Sequence, residues 1–253
     1  MGTEAVETIK PYQQEGSKRE QVEQMFDSIA PAYDFMNRAM TLGIDRWWRR
    51  VAVKRVKRYL ADNPAPQLLD VATGTGDFAL QLQKQITGSK VTGIDLSNGM
   101  LDVARQKVAS QHLENDITFA QADCLALPFD DGQFDAVTVA FGVRNFEHID
   151  LGYREMLRVL RPGGILCVLE LSTPQNRLIR WFYDLYTLRI IPFIGSRKSG
   201  DASAYRYLPQ SIAAVPQGQH MLDIMRQEGF TRRKVTRLTL GTCAIYTALK
   251  PQS

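Results

Sequence analysis

Between residues 22 and 33 apolar side chains return as Val22, Met25, Phe26 and Ile29, the three-and-four spacing of a helix, which Pro31 is expected to end. The residues before it are polar and read as a loose terminus. A second segment sets Trp47, Trp48, Val51, Val53 and Val56 among Arg46, Arg49, Arg50, Lys54, Arg55, Lys57 and Arg58, and the Asn-Pro-Ala-Pro run at 63–66 reads as a linker. From residue 67 the period changes. Short apolar runs at 67–72, 90–95, 117–123, 134–141 and 164–171 alternate with helical stretches, and Ser97 is a good cap for one of them. A turn is expected at Arg161-Pro-Gly-Gly, just before the fifth run. Strands alternating with helices make an α/β fold with a doubly wound, mostly parallel sheet. Residues 235–249 read as two strands joined near Gly241 and Thr242, an antiparallel hairpin at the sheet edge. The organisation expected is an N-terminal helical cap (1–66) on a sheet domain (67–253) that carries an insertion at 172–219.

Composition narrows the class. Of 253 residues, 44% are hydrophobic and 23% charged, which excludes disorder for the chain as a whole. The formal charge of +4 suits an anionic surface but is too small to argue for nucleic acid. Cys124, Cys167 and Cys243 form no CxxC pair and have no histidine at ligand spacing, so neither a disulfide framework nor a metal site is expected, and a reducing cytoplasm is. The opening Met1-Gly-Thr-Glu-Ala-Val is acidic and lacks the serine or threonine that myristoylation needs at position 6; no signal peptide is expected. No apolar run approaches the ~20 residues of a membrane span.

The candidate chemistry begins at Thr73-Gly74-Thr75-Gly76-Asp77-Phe78-Ala79, a GxGxxG/A-type loop between a strand and a helix. Dinucleotide and methyl-donor folds share this loop. Three carboxylates discriminate. Asp95 ends the second strand, where it can accept from ribose hydroxyls; Asp123, followed by Cys124, ends the third, where it can accept from an adenine amine. Asp70 precedes the glycines, and beside a pyrophosphate it would be repelled. A sulfonium nucleoside with its ammonium group suits this set better than NAD does. Taken singly, each aspartate also reads as a cap or turn residue.

The segments Leu68-Leu-Asp-Val-Ala-Thr-Gly-Thr-Gly-Asp77, Gly93-Ile-Asp-Leu-Ser-Asn-Gly-Met100, Ala122-Asp-Cys-Leu-Ala-Leu-Pro-Phe129 and Leu160-Arg-Pro-Gly-Gly164 resemble the class I S-adenosylmethionine-dependent methyltransferases, with their Rossmann-like sheet. More narrowly, Phe26-Asp-Ser-Ile-Ala-Pro-Ala-Tyr-Asp34, Leu42-Gly-Ile-Asp-Arg-Trp47, Phe141-Gly-Val-Arg-Asn-Phe146 and Tyr205-Arg-Tyr-Leu-Pro-Gln-Ser-Ile212 are similar to the UbiE/MenG quinone C-methyltransferases, over about residues 22–249. The wider pattern has glycine at the first loop position, where this chain has Ala72. The resemblance is closest to the menaquinone-pathway members. It implies methyl transfer from S-adenosylmethionine to a ring carbon of demethylmenaquinol, with acceptance of benzoquinols as the alternative. It also implies that Tyr33 and Asp34 close over a donor held by Asp70, Thr73, Gly74, Thr75, Gly76, Asp95, Asp123 and Cys124.

Ligands of open α/β sheets meet at the carboxyl ends of the strands, so the residues after the fourth strand are placed for the acceptor. Arg144 is the leading catalytic candidate, its guanidinium steadying a quinolate oxygen with Asn145 orienting it. His148, or a water, is the candidate for taking the ring proton. Against this stands a surface pairing of Arg144 with Glu147 or Asp150. Tyr205 and Tyr207 are candidates to touch the quinol ring. The apolar run at 178–194, with Leu178, Phe182, Leu185, Tyr186 and Arg189 at helical spacing, reads as the wall of a tail pocket or an interfacial helix, or else as a dimer face or core. The basic segment at 46–58 reads as a headgroup contact at a membrane, or as a solvated helix face. Partners expected are a polyprenylated quinol, the cytoplasmic face of a membrane and a second copy of the chain, with no nucleic acid. Two rival functions remain: an NAD-dependent oxidoreductase, and a non-catalytic carrier of isoprenoid lipid.

Overall fold

The computed structural model describes residues 4–12, 14–186 and 202–252. In chain order the elements are α1 (Glu4–Glu7), α2 (Lys18–Thr41), α3 (Asp45–Tyr59), β1 (Gln67–Val71), α4 (Asp77–Gln85), β2 (Lys90–Asp95), α5 (Asn98–Ala109), β3 (Ile117–Gln121) and β4 (Phe134–Ala140). A 3-10 turn (Val143–Asn145) leads to α6 (Ile149–Val159), β5 (Leu160–Leu171), α7 (Arg177–Leu185), α8 (Ala202–Ala214), α9 (Gln219–Gln227), β6 (Thr231–Leu238) and β7 (Cys243–Leu249).

The strands form one sheet in the order β3-β2-β1-β4-β5-β7-β6. The first five strands are parallel, and β7 runs antiparallel between β5 and β6. Because β1 lies between β2 and β4, the direction of winding reverses there, and the crevice at the carboxyl ends of β1 and β4 is where such sheets bind ligands. β4 is buried along nearly its whole length, as a strand covered on both faces must be. One face packs on α6 and α9 through Val71, Val139, Tyr153 and Met225; the other packs on α3 and α4 through Leu68, Val53, Phe78 and Leu82.

Three expectations are corrected. α2 does not stop at Pro31 but runs through it to Thr41, where Leu42 and Gly43 turn left-handed. Proline removes one intrahelical bond, but Asp27, one turn earlier, fastens the helix to the start of α5 by accepting from Ser97 Oγ (2.6 Å) and Gly99 N (3.0 Å). Val22, Met25, Ile29 and Met36 then bury a continuous stripe, so tertiary packing overrides the breaker. The stretch Arg161-Pro-Gly-Gly is not a turn before β5 but an irregularity inside its start, where the register with β4 shifts. The basic segment becomes α3, yet it is not a solvated helix throughout: Trp48, Arg49, Ala52, Val53 and Val56 are buried, and Trp48 Nε1 donates to Thr239 Oγ1 at 2.7 Å.

Lys18 ties the N-terminal segment to the sheet. A Ser17–Glu20 capping box starts α2, and the Lys18 ammonium, 1% exposed, donates to the carbonyls of Val6 (2.7 Å), Arg144 (3.0 Å) and Phe146 (3.0 Å). Burial lowers its pKa to about 8, against the pull of Glu7 and Glu147. Lys18→Met leaves those carbonyls without their donor and is expected to destabilise the fold by about 3 kcal/mol in denaturant melts. A loss under about 0.5 kcal/mol would show that the segment is held by its apolar contacts alone.

Candidate active site

β1 ends in a turn that places backbone before side chains. Ala72 adopts φ 53° and Gly74 and Gly76 adopt φ 57° and 77°, so the loop after Asp70 is left-handed at alternate positions. Glycine is the easier residue at the first of these, which is why the alanine departs from the wider pattern. Gly142, after β4, faces it: a Cβ there would come within 2.6 Å of the Ala72 Cβ.

Asp70 stabilises this turn from inside. It is 1% exposed and accepts from Thr73 Oγ1 (2.6 Å) and Thr138 Oγ1 (2.7 Å). Burial raises its pKa to about 6, and the two hydroxyls oppose the rise. Thr75 Oγ1 donates to Asp34 of α2 at 2.6 Å, and Lys107 bridges Asp34 and Asp77, so the N-terminal helix is latched onto the glycine loop. Asp70, Thr73, Thr75 and Gly76 therefore build and lock the loop and do not line the cleft; Gly74 does.

That cleft, about 750 Å³ with its open mouth, lies over the carboxyl ends of β1, β2 and β3. Asp95 Oδ2 accepts from Gly74 N (2.8 Å) and Oδ1 from Ser97 N (3.0 Å), and burial raises its pKa to about 6. The carboxylate is held by backbone N–H groups, with acceptor capacity left for a further donor. Asp123 and Cys124 line the far end, where Arg19 holds Asp123 at 3.0 Å. Tyr33 of α2 closes the near side. The lining holds four carboxylates (Glu23, Asp95, Asp123 and Glu147) against one cation, Arg19, with backbone amides and an apolar floor of Ile94, Met100 and Leu125, which fits a cationic nucleoside with a ribose diol.

A second cavity, about 1350 Å³, opens on the other side of Tyr33 and Phe141, which line both. Its walls are mostly apolar: Met40, Leu42, Ile44, Trp48, Leu171, Tyr183, Tyr186, Leu208 and Ile212. Arg144 lines it, 6% exposed, with Nη1 on Glu170 Oε1 at 2.9 Å and on the Phe141 carbonyl. The expected surface pairing with Glu147 or Asp150 does not form; Glu147 instead accepts from Lys18 N at 3.1 Å. Phe141 itself has φ 62°, a left-handed position held by its bond to Leu169 O.

The remaining expectations divide. Asn145 does not orient Arg144: it faces the first cleft and accepts from Tyr207 Oη at 3.1 Å. Tyr207 is buried beside both, its pKa raised beyond the ordinary phenol range by burial. His148 is not brought to the site. It caps α6 at the surface, 3.7 Å from Glu7, and lines neither cavity, so it is placed wrongly for the ring proton. Tyr205 lies in α8, with its side chain outside the described residues, as is Arg189. Sequence reasoning missed Glu170, Thr138 and Arg49. A lone carboxylate in Leu166-Cys-Val-Leu-Glu170-Leu was a readable signal, since a buried strand does not carry a charge without a partner.

A family model described as the ubiE/COQ5 methyltransferase family matches residues 14–250. A demethylmenaquinone methyltransferase of Bacteroides fragilis is 48% identical over 244 residues, covering 96% of this chain and 98% of that protein. A ubiquinone/menaquinone biosynthesis C-methyltransferase of Geotalea daltonii is 43% identical over 234 residues, covering 92% and 97%. Among solved structures, the [4+2]-cyclase SpnF superposes with a TM-score of 0.69 at 20% identity, covering 93% of this chain and 97% of that one. Phosphoethanolamine N-methyltransferase 2 of Haemonchus contortus, solved with S-adenosyl-L-methionine, gives 0.61 at 18% identity, covering 81% and 53%. These two likenesses establish the fold.

The Asp70 cluster generates a pH-dependent test. A carboxyl raised from about 4 to about 6 on folding costs stability as pH rises through that window, and the two threonine hydroxyls limit the cost. Thr138→Val is expected to destabilise by about 1–3 kcal/mol at neutral pH, where Asp70 is charged, and by less at about pH 5. Urea melts at both values check it; an equal loss at each would mean that Asp70 does not change its protonation state between them.

Proposed function

The chain belongs to the ubiE/COQ5 methyltransferase family, and from that premise we propose that it methylates a ring carbon of demethylmenaquinol, giving menaquinol, with S-adenosylmethionine as donor. One observation carries the reading: a carboxylate-bearing cleft at the sheet rim and a large apolar cavity share Tyr33 and Phe141 as walls. A donor in the first and an isoprenoid quinol in the second would meet at that partition. The relatives named as demethylmenaquinone methyltransferases support the acceptor. Relatives named for both ubiquinone and menaquinone biosynthesis keep the benzoquinol alternative open.

In this reading Asp95 takes the ribose hydroxyls, Asp123 and Cys124 border the base, and Gly74 N–H and Tyr33 shape the end nearest the acceptor. When bound, the donor supplies a methyl group already activated as a sulfonium. The chain's own work is alignment, exclusion of water and stabilisation of the electron-rich quinolate. Arg144 does the last: it is always protonated, Glu170 and the Phe141 carbonyl fix its direction, and a desolvated guanidinium acts strongly on an oxyanion. Tyr207 and Asn145, bonded to one another, line a smaller third cavity with Tyr33 and Arg144.

The membrane side of the reading rests on α7. Leu178, Trp181 and Phe182 are 67%, 60% and 59% exposed, while Tyr183 and Tyr186, at and just beyond its end, line the acceptor cavity. Leu42, 86% exposed, stands at the same mouth. Among the described residues no helix is long and apolar enough to cross a membrane. The protein would meet the cytoplasmic surface of the bilayer through α7 and draw a polyprenyl quinol from it.

Incubation of labelled S-adenosylmethionine with reduced demethylmenaquinone is expected to yield labelled menaquinol. Arg144→Ala should lower kcat by about 100-fold or more while leaving donor affinity within about twofold; normal turnover in that variant would remove Arg144 from the reaction. In sedimentation with anionic lipid vesicles, the double variant Trp181→Glu, Phe182→Glu should lose most of its lipid-bound fraction and keep its melting temperature. Unchanged sedimentation would assign the exposed face of α7 to something other than lipid.

A further inference from the structure

Arg49 lines the acceptor cavity together with Arg144, and the family reading gives it no task. It lies one turn into α3, in a segment where Arg46, Arg50, Lys54, Lys57 and Arg58 are exposed, yet it is 5% exposed. Among the described residues its salt-bridge partner is Asp45, which also accepts from Thr41 Oγ1 at 2.9 Å. Its guanidinium sits over the Phe141 ring, 5.3 Å from the centroid. Arg144 touches the same residue through the main chain. Phe141, strained at φ 62°, is thus held by one guanidinium at its carbonyl and faced by another at its ring.

Both arginines are short of partners in the same way. Among the described residues, four buried side-chain nitrogen or oxygen atoms have no hydrogen-bond partner, and two of them are Arg49 Nε and Arg144 Nε. Both residues line the acceptor cavity. An N–H left bare inside a protein costs free energy. These two Nε atoms are closed off from the cavity itself, and each guanidinium has its own carboxylate. What the two arginines offer an occupant is a pair of guanidinium cations in a mostly apolar lining.

We propose that Arg49 is a second oxyanion-binding group of this cavity, so that Arg49 and Arg144 each take one oxygen of an ionised hydroquinone and select the reduced, deprotonated ring over the neutral quinone. The proposal rests on the acceptor reading above and deepens it. Arg144 stabilises one ring oxygen; Arg49 takes the other, fixes the ring between the two and thereby decides which ring carbon faces the Tyr33–Phe141 partition. A neutral quinone, with weaker acceptors and no charge, gains less from the same two donors.

The test compares two ring probes, ionised 2-hydroxy-1,4-naphthoquinone and neutral 1,4-naphthoquinone, titrated into the full chain with S-adenosylhomocysteine present. The wild type is expected to prefer the anion. Arg49→Met should weaken the anion by about tenfold or more, leave the neutral ring within about twofold, and move the pH of half-maximal kcat upward; Arg49→Lys should recover part of the preference. Equal weakening of both probes would mean that Arg49 only props the cavity, and overturns the proposal. The wild type also gives an answer that needs no variant to fold. Adding the anion should shift the Nε–H resonances of two arginines; a shift of one alone overturns the proposal as well. If the wild type fails to methylate reduced demethylmenaquinone, it is the acceptor reading that fails. Normal methylation with anion preference intact in Arg49→Met removes Arg49 alone.

Discussion

A guanidinium removed from water needs a fixed counter-charge, and the pairing of Arg144 with Glu170 supplies it. Arg144 lies in the turn just after β4 and Glu170 near the end of the neighbouring β5, so the pairing of those two strands brings them together. Glu170 accepts from the backbone N–H of Arg144 as well as from its side chain, which anchors the loop and the charge together. The carbonyl of Arg144 is in turn held by Lys18. Through that chain of contacts the N-terminal helix, the strand ends and the acceptor cavity share one electrostatic frame. Removing Arg144 or Glu170 would leave the other buried without its counter-charge, and removing Lys18 would leave three carbonyls without their donor.

The sheet and its antiparallel last strand were legible because alternating apolar runs and helical stretches admit few other arrangements. The glycine loop and Asp95 were legible as well, since their spacing carries their role. Asp70 shows the limit of that reading. Its place before the glycines was right, but its side chain turns inward to two threonines, and Thr138 is 68 residues away in sequence. Glu170 and Arg49 were hidden for a related reason. Each depends on a partner or a wall contributed by another element, and neither carries a local motif. His148 failed in the opposite sense: nearness in sequence to Arg144 suggested a shared task, while the start of α6 carries it to the surface. Pro31 failed because a breaker costs a helix one bond, and the burial of α2 together with the Asp27 anchor outweighs that.

The same helix unites the two cavities. α2 contributes Tyr33 to both, Asp34 to the glycine loop and Asn37 and Met40 to the apolar side. Its left-handed exit at Leu42 and Gly43 redirects the chain into α3, which brings Trp48 and Arg49 to the far wall. The first sixty residues are therefore as much a part of the site as the sheet is.

Ala72 and Gly142 are matched across the narrowest point of the crevice, with no room for a further methyl group between them. The two positions consequently behave as a lock and its ward. An exchange that enlarges residue 142 can be tolerated only alongside a reduction at residue 72, so any library that redesigns this rim has to vary them as a couple.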